Sequence, residues 1–131
     1  MNAEPSCEMH QLENEYPPEA AAVTHVRHGV QTMLTQWKVP ETAAEDIVLV
    51  VEELLANVID HARTPFRIAV DRHDSTVRIA VHDKSSAPPQ VRDVDLTALR
   101  GRGLRLVAAI AQRWGYDNEA TGKRVWAEIS V

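Results

Sequence analysis

The most informative part of this 131-residue sequence reads EELLANVIDHA, from residue 52 to residue 62. This stretch ends a longer segment that opens with Pro40 and Glu41, two residue types that are favoured at the start of a helix. At about 100° per residue, a helix gathers its apolar positions into one arc. These positions are Ile47, Val51, Leu54, Leu55, Val58 and Ala62. The sequence therefore predicts a helix from Pro40 to about Ala62 with one face in the core.

Two polar residues, Glu53 and Asn57, lie one helical turn apart at the border of this apolar arc. Glu52 falls about 100° away from Glu53, on the opposite flank, so the two glutamates cannot serve the same site. If one of them acts in a cleft, helical geometry selects Glu53. Taken alone, the Glu53 and Asn57 pair is also typical of a solvated helix flank.

Hydrophobic periodicity divides the rest of the chain into helices and strands. Steps of three and four residues predict a helix over 19–37 and another over 104–114, which Gly115 ends. Alternation predicts strands over 66–70 and 77–81, joined by a turn, and two final strands over 116–119 and 124–131. Residues 9–16 predict an edge strand and residues 1–8 a flexible N-terminus. We therefore expect a single domain over 9–131 with a mostly antiparallel sheet.

Asp83 and two glycines mark the remaining candidate site. Asp83 continues the inward-facing positions of its strand by two residues, so its side chain is expected to face a cleft at the edge of the core. Residues 84–100 have little apolar periodicity, as is common in a lid. They lead to Gly101 and Gly103 at the start of a helix. Backbone N–H groups and the helix dipole favour phosphate there.

Composition argues against several other classes of protein. The chain is 44% hydrophobic and 25% charged, and it contains no apolar run near the roughly 18 residues that span a bilayer. A net charge of -5 argues against a direct nucleic-acid partner. Since the start lacks the features of a secretory signal and Cys7 is the lone cysteine, we expect a cytoplasmic protein without a membrane partner.

Three other motifs do not support a site of their own. His25 and His28 are three residues apart, but no further residue completes a metal-ligand set. The run GKR at 122–124 lacks the Ser or Thr of a P-loop and joins two strands. The glycines at 101 and 103 lack the preceding strand and third glycine of a dinucleotide-binding fingerprint.

The order of the motifs is more specific than any one of them. A Glu-x-x-x-Asn helix is followed by an Asp at a strand end, then a lid, then Gly-x-Gly-Leu at a helix start. This order resembles the GHKL ATPase superfamily. The segments EELLANVIDHA, GRGLRLV at 101–107 and GKRVWAE at 122–128 are similar to its anti-sigma-factor branch. The resemblance, over roughly residues 17–131, implies a Bergerat-type ATP-binding fold. This is an α/β two-layer sandwich whose mostly antiparallel sheet is covered by helices on one face.

The same resemblance implies cofactors and residue roles. The cofactors are ATP and Mg²⁺, with Asn57 as the magnesium-binding residue and Glu53 as the proposed catalytic base. Asp83 matches the residue that reads the adenine amino group. The phosphate-facing turn and its candidate lid cations are Arg100, Gly101, Arg102, Gly103 and Leu104.

The implied function is an anti-sigma regulatory kinase that holds a sigma factor and phosphorylates a serine or threonine on an anti-sigma-factor antagonist. The resemblance also allows a homodimer. Two departures leave alternatives open, because Asp83 lacks the following glycines of Asp-x-Gly-x-Gly and Arg124 stands where a pocket Thr is common. The alternatives are a non-catalytic interaction module with weak or no nucleotide binding, and ATP hydrolysis without transfer to a protein.

Overall fold

A computed structural model describes residues 7–89 and 103–131 of the chain. Its strands are β1 (Cys7–Tyr16), β2 (Phe66–His73), β3 (Thr76–Asp83), β4 (Arg113–Glu119) and β5 (Gly122–Ser130). Its α-helices are α1 (Ala20–Gln36), α2 (Glu41–Asn57) and α3 (Gly103–Ile110), and a π-helical turn, Val58–Ala62, continues α2. The strands form one sheet in the order β1-β2-β3-β5-β4. All four neighbouring pairs are antiparallel. The predicted α/β sandwich with an antiparallel sheet is confirmed.

The core lies between the helices and the inner face of the sheet. In α2, Ile47, Val51 and Leu55 are fully buried, as the predicted apolar arc requires. Alternate positions of the central strands, such as Ile79 in β3 and Ala127 in β5, supply the facing side chains. Burial of this continuous apolar surface stabilises the sandwich.

The end of α2 turns the chain towards the sheet. After Asn57 the helix widens into the π-helical turn, and Arg63 closes it with a left-handed backbone at φ 55°. Its N–H donates to the Val58 carbonyl at 2.6 Å. Thr64 and Pro65 then lead into β2. Asn57 is therefore placed near the sheet end at which β2 begins.

The third helix is shorter than its periodicity predicts. It ends at Ile110, whereas the sequence predicted a helix as far as Trp114. Trp114 lies in β4 opposite Ala127, and the Gln112 N–H donates to the Glu128 carbonyl at 2.8 Å. Pairing with β5 supplies backbone hydrogen bonds for this segment, so sheet formation prevails over the helical pattern.

The ends of the described region bear on two further expectations. Strand β1 is an edge strand, as predicted, but it begins at Cys7. The expected flexible N-terminus thus overlaps β1 at its last two residues, and residues 1–6 lie outside the described residues. Most of the predicted lid, 90–100, also lies outside them. Within the described part of the chain, no helix has the length and apolar character needed to cross a membrane.

Candidate functional site

The end of β3 and the start of β5 meet beside the segment that follows α2. Asp83, the last residue of β3, lies opposite Phe66 on one side and Lys123 on the other. The Lys84 backbone N–H donates to the Thr64 hydroxyl at 2.9 Å, which joins the end of β3 to the loop after α2. The C-terminal part of α2 and Asp83 therefore lie at the same end of the sandwich.

Three polar side chains are buried among the described residues. Asn57 is 7% exposed, Asp83 is 5% exposed and Lys123 is 2% exposed. Burial of polar groups is unfavourable unless they have partners, so such groups commonly mark a site or a structural network. All three lie on elements that reach the same end of the sandwich, and this end is therefore the candidate site.

Glu53 lies one turn before Asn57 in α2 and is half-buried. Glu52 is also half-buried, so exposure does not distinguish the two glutamates. The helical arrangement does, because Glu53 shares the side of the helix on which Asn57 lies. Glu53 is thus the acidic residue of α2 that is better placed to act together with Asn57.

Asp83 and Lys123 form a buried ion pair. The Lys123 Nζ lies 3.0 Å from each carboxylate oxygen of Asp83, and the side chains are 3% and 1% exposed, respectively. Oδ1 accepts hydrogen bonds from this ammonium and from the Ser85 N–H at 2.9 Å. Oδ2 is buried and lies at ion-pair distance from the same ammonium. The predicted inward orientation of Asp83 is confirmed.

Lys123 is the functional candidate that the sequence interpretation missed, and the expectation that Arg124 occupies the pocket is wrong. Arg124 lies opposite His82 on the outer face of the sheet, where its Nη2 lies 2.7 Å from Asp117 Oδ2. The reason is the alternation of side chains along a strand. The inward series of β5, continued towards the N-terminus from Val125, reaches Lys123, and this parity could have identified it.

Gly122 lets β5 approach the end of β3. A Cβ atom built on Gly122 would lie 1.9 Å from the Asp83 carbonyl oxygen, and the backbone φ of Gly122 is +153°. Both this short distance and the positive φ strongly disfavour a residue with a side chain at position 122. The glycine of the GKR run thus positions Lys123 against Asp83.

The predicted phosphate-facing turn is only partly described. Arg100, Gly101 and Arg102 lie outside the described residues, and Gly103 is the first residue of α3. The Leu104 side chain is fully buried in the core. Leu104 can therefore contribute its backbone N–H to a phosphate but not its side chain, because the first N–H groups of a helix lack intrahelical partners.

The sequence profile of the histidine kinase-like ATPase domain family matches residues 16–129. The chain belongs to this family. The histidine kinase-like ATPase domain accounts for the antiparallel sandwich and for the GHKL resemblance of the motifs. A search of curated protein sequences found no relative that matches.

A solved structure shares the fold of this histidine kinase-like ATPase domain. It contains the RsbU and RsbW domains of Rv1364c from Mycobacterium tuberculosis, with a TM-score of 0.70 and 16% sequence identity. The match covers 94% of this chain and 32% of that chain, so this chain spans about a third of the length of the solved structure. At this identity, the likeness shows the fold alone.

The residues of the histidine kinase-like ATPase domain fit a nucleotide at two points. Asp83 is a buried carboxylate whose oxygens can accept a donor such as an exocyclic amine, but Nζ of Lys123 lies 3.0 Å from both of them. Asn57 offers an amide at the border of the core. The described residues contain no group of three or more His, Cys, Asp or Glu side chains that could hold a metal ion. A magnesium ion would therefore need oxygens from the nucleotide in addition to Asn57.

Proposed function

We propose that this chain is an anti-sigma regulatory factor that binds ATP with Mg²⁺ and phosphorylates a serine or threonine on an anti-sigma-factor antagonist. The observation that carries the proposal is the burial of Asn57 and of the Asp83 carboxylate at one end of the sandwich. The family of the chain and its motifs, which are similar to the anti-sigma-factor branch, support this assignment.

Each residue has a physical reason for its proposed role. The amide oxygen of Asn57 would bind Mg²⁺ without adding a negative charge next to the phosphates. Asp83 would accept a hydrogen bond from the adenine amino group. The start of α3, at Gly103 and Leu104, would direct backbone N–H groups towards a phosphate.

Glu53 is the proposed catalytic base. When bound, the magnesium nucleotide supplies the phosphoryl group. Glu53 would orient the hydroxyl group of the antagonist and accept its proton as the hydroxyl oxygen bonds to the γ-phosphorus, while the bond between the β- and γ-phosphates would break and ADP would leave. Arg100 and Arg102 would offset the negative charge that develops on the transferred group.

The proposed partners are a sigma factor and the antagonist, so phosphorylation of the antagonist would control how much sigma factor is available for transcription. We place this role in the cytoplasm, for a chain that acts alone or as a homodimer. The charge of -5 supports protein partners over nucleic acid.

Phosphate transfer to the antagonist tests the proposed function. Purified protein, ATP labelled at the γ-phosphate and the cognate antagonist are mixed with Mg²⁺, and labelled antagonist is measured. We expect transfer in wild type, a loss of at least about a hundredfold in Glu53→Gln, and near wild-type transfer in the matched control Glu52→Gln. Absence of transfer in wild type would refute the kinase activity, and transfer unchanged in Glu53→Gln would refute the role of the base.

Nucleotide binding is tested separately by calorimetry. ATP is titrated into wild type and Asn57→Ala, with and without Mg²⁺. We expect Mg²⁺ to strengthen binding in wild type but not in Asn57→Ala, because the variant lacks the amide oxygen. An equal magnesium effect in both proteins would remove Asn57 from the metal site.

A second candidate function is a non-catalytic interaction module with weak or no nucleotide binding. The Asp83–Lys123 ion pair favours it, because the carboxylate already has a cationic partner. This candidate predicts no rise in melting temperature with ATP. A site that binds would instead gain about 2.7 kcal/mol at a ligand concentration of 100 times Kd.

A further inference from the structure

We propose that Lys123 sets the nucleotide affinity of this chain by holding Asp83 in a closed ion pair that a nucleotide must open. The inference rests on the proposed nucleotide binding and concerns the regulation of that site. Lys123 faces Asp83 on the inner side of the sheet, whereas Arg124 lies on the outer face.

The Lys123 ammonium lies directly against the Asp83 carboxylate. Nζ of Lys123 lies 3.0 Å from both oxygens of Asp83, so it stands in front of the carboxylate. A ligand N–H that approached the same oxygens would meet this ammonium. Lysine has three donors and no acceptor, so Lys123 cannot itself accept a hydrogen bond from an exocyclic amine.

Both charged groups of this ion pair are buried. The side chains of Lys123 and Asp83 are 3% and 1% exposed, so water does not solvate either charge. A neutral amine would replace an ion pair, in which both partners are charged, with a hydrogen bond in which only the carboxylate is charged, and Lys123 would need a new partner. Opening the pair therefore opposes nucleotide binding.

Strand pairing holds the backbone of Lys123 in place. Lys123 is the second residue of β5 and pairs with Asp83 in the β3–β5 register, beside the close contact of Gly122 with Asp83. The register fixes the position of the Lys123 Cα atom, whereas the flexible four-carbon stem of its side chain can change conformation. Lys123 can therefore release Asp83 by a change of rotamer, and the sheet remains paired.

Binding affinity tests this proposal directly. ATP with Mg²⁺ is titrated by calorimetry into wild type, Lys123→Thr and Lys123→Gln, where glutamine keeps a donor for Asp83 but not the charge. Arg124→Thr is the matched control, because it removes the same charge one residue away on the outer face. We expect binding roughly tenfold to a hundredfold tighter in both Lys123 variants and unchanged in the control.

Chemical labelling tests the ion pair without any nucleotide. The chain has three lysines, and Lys38 and Lys84 are exposed, so they serve as internal references. With an amine-acetylating reagent and peptide mass spectrometry, we expect Lys123 in wild type to react at least about tenfold more slowly than the references. In Asp83→Asn the Lys123 rate should rise, while the rates of Lys38 and Lys84 stay the same.

The outcomes separate this proposal from the proposed function. Equal ATP affinity in wild type and both Lys123 variants would overturn the role of Lys123 while nucleotide binding stands. Weaker binding in these variants would instead make Lys123 a ligand of the nucleotide. Labelling of Lys123 as fast as Lys38 would show that the pair is open in solution and refute the closed state. If neither wild type nor the variants bind ATP, the proposed nucleotide binding fails, and the role of Lys123 fails with it.

Discussion

Replacing Lys123 by methionine should destabilise this chain far more than loss of an ordinary surface charge would. Methionine keeps most of the apolar length of the lysine but removes the ammonium. Among the described residues, Asp83 would then retain the Ser85 N–H as its hydrogen-bond donor, in a side chain that is 1% exposed. An uncompensated buried charge is the physical cost of this change.

The magnitude follows from the burial of the pair. Removing one partner of a buried ion pair lowers the free energy of unfolding by about 3–5 kcal/mol. For a domain of this size each kcal/mol lowers Tm by about 3–6 °C, so Lys123→Met should melt roughly 9–30 °C below wild type. Replacing both partners in Asp83→Leu/Lys123→Met removes both charges, and this double variant should recover most or all of the loss.

Urea unfolding followed by far-UV circular dichroism measures these free energies. The control is Arg124→Met, which breaks the ion pair with Asp117 on the outer face, where the side chains are 32% and 56% exposed. An exposed pair contributes about 0–1 kcal/mol, so the control should stay close to wild type. The reasoning is refuted if Lys123→Met costs no more than the control, or if the double variant is less stable than both single variants.

Two further stability predictions concern the backbone contact and the core. Gly122→Ala should cost at least about 3 kcal/mol in urea unfolding, because its Cβ would lie 1.9 Å from the Asp83 carbonyl oxygen; a loss below 1 kcal/mol would contradict this contact. Leu54→Ala and Leu104→Ala, at 1% and 0% exposed, should each lose about 2–5 kcal/mol, whereas Leu49→Ala, at 43% exposed, should lose less than about 1 kcal/mol. Similar losses at all three leucines would contradict the assigned burial.

The sequence predicted the helices and central strands well because their periodicity reflects one buried face. The apolar positions of α2 recur at helical spacing, and Val51 and Leu55 are fully buried in the structure. In β3 the alternation of Val77, Ile79 and Val81 identifies the inner face, and Asp83 continues it. Where one face of an element is buried along its whole length, the sequence alone specifies its orientation.

Prediction failed where strand pairing competes with a local helical pattern. Trp114 continues the helical spacing of α3, yet it lies in β4 opposite Ala127. Gly115, which was interpreted as a helix end, faces the ring of Trp126, and a Cβ on it would lie 3.1 Å from Trp126 Cζ2. The first three residues of β4 are specified by pairing with β5 across the hairpin, so local helical spacing could not identify them as a strand.

The most consequential difference between the sequence prediction and the structure concerns the cation at the site. The sequence predicted Arg124 in the pocket, whereas the structure has Lys123 there. Because side chains alternate across a strand, an error of one residue moves a cation from the buried pocket to the outer face. Arg124 on the outer face affects only an exposed ion pair, whereas Lys123 in the pocket neutralises the proposed adenine-reading carboxylate. On the proposed role of Lys123, the nucleotide affinity of this chain is set by how readily Lys123 releases Asp83.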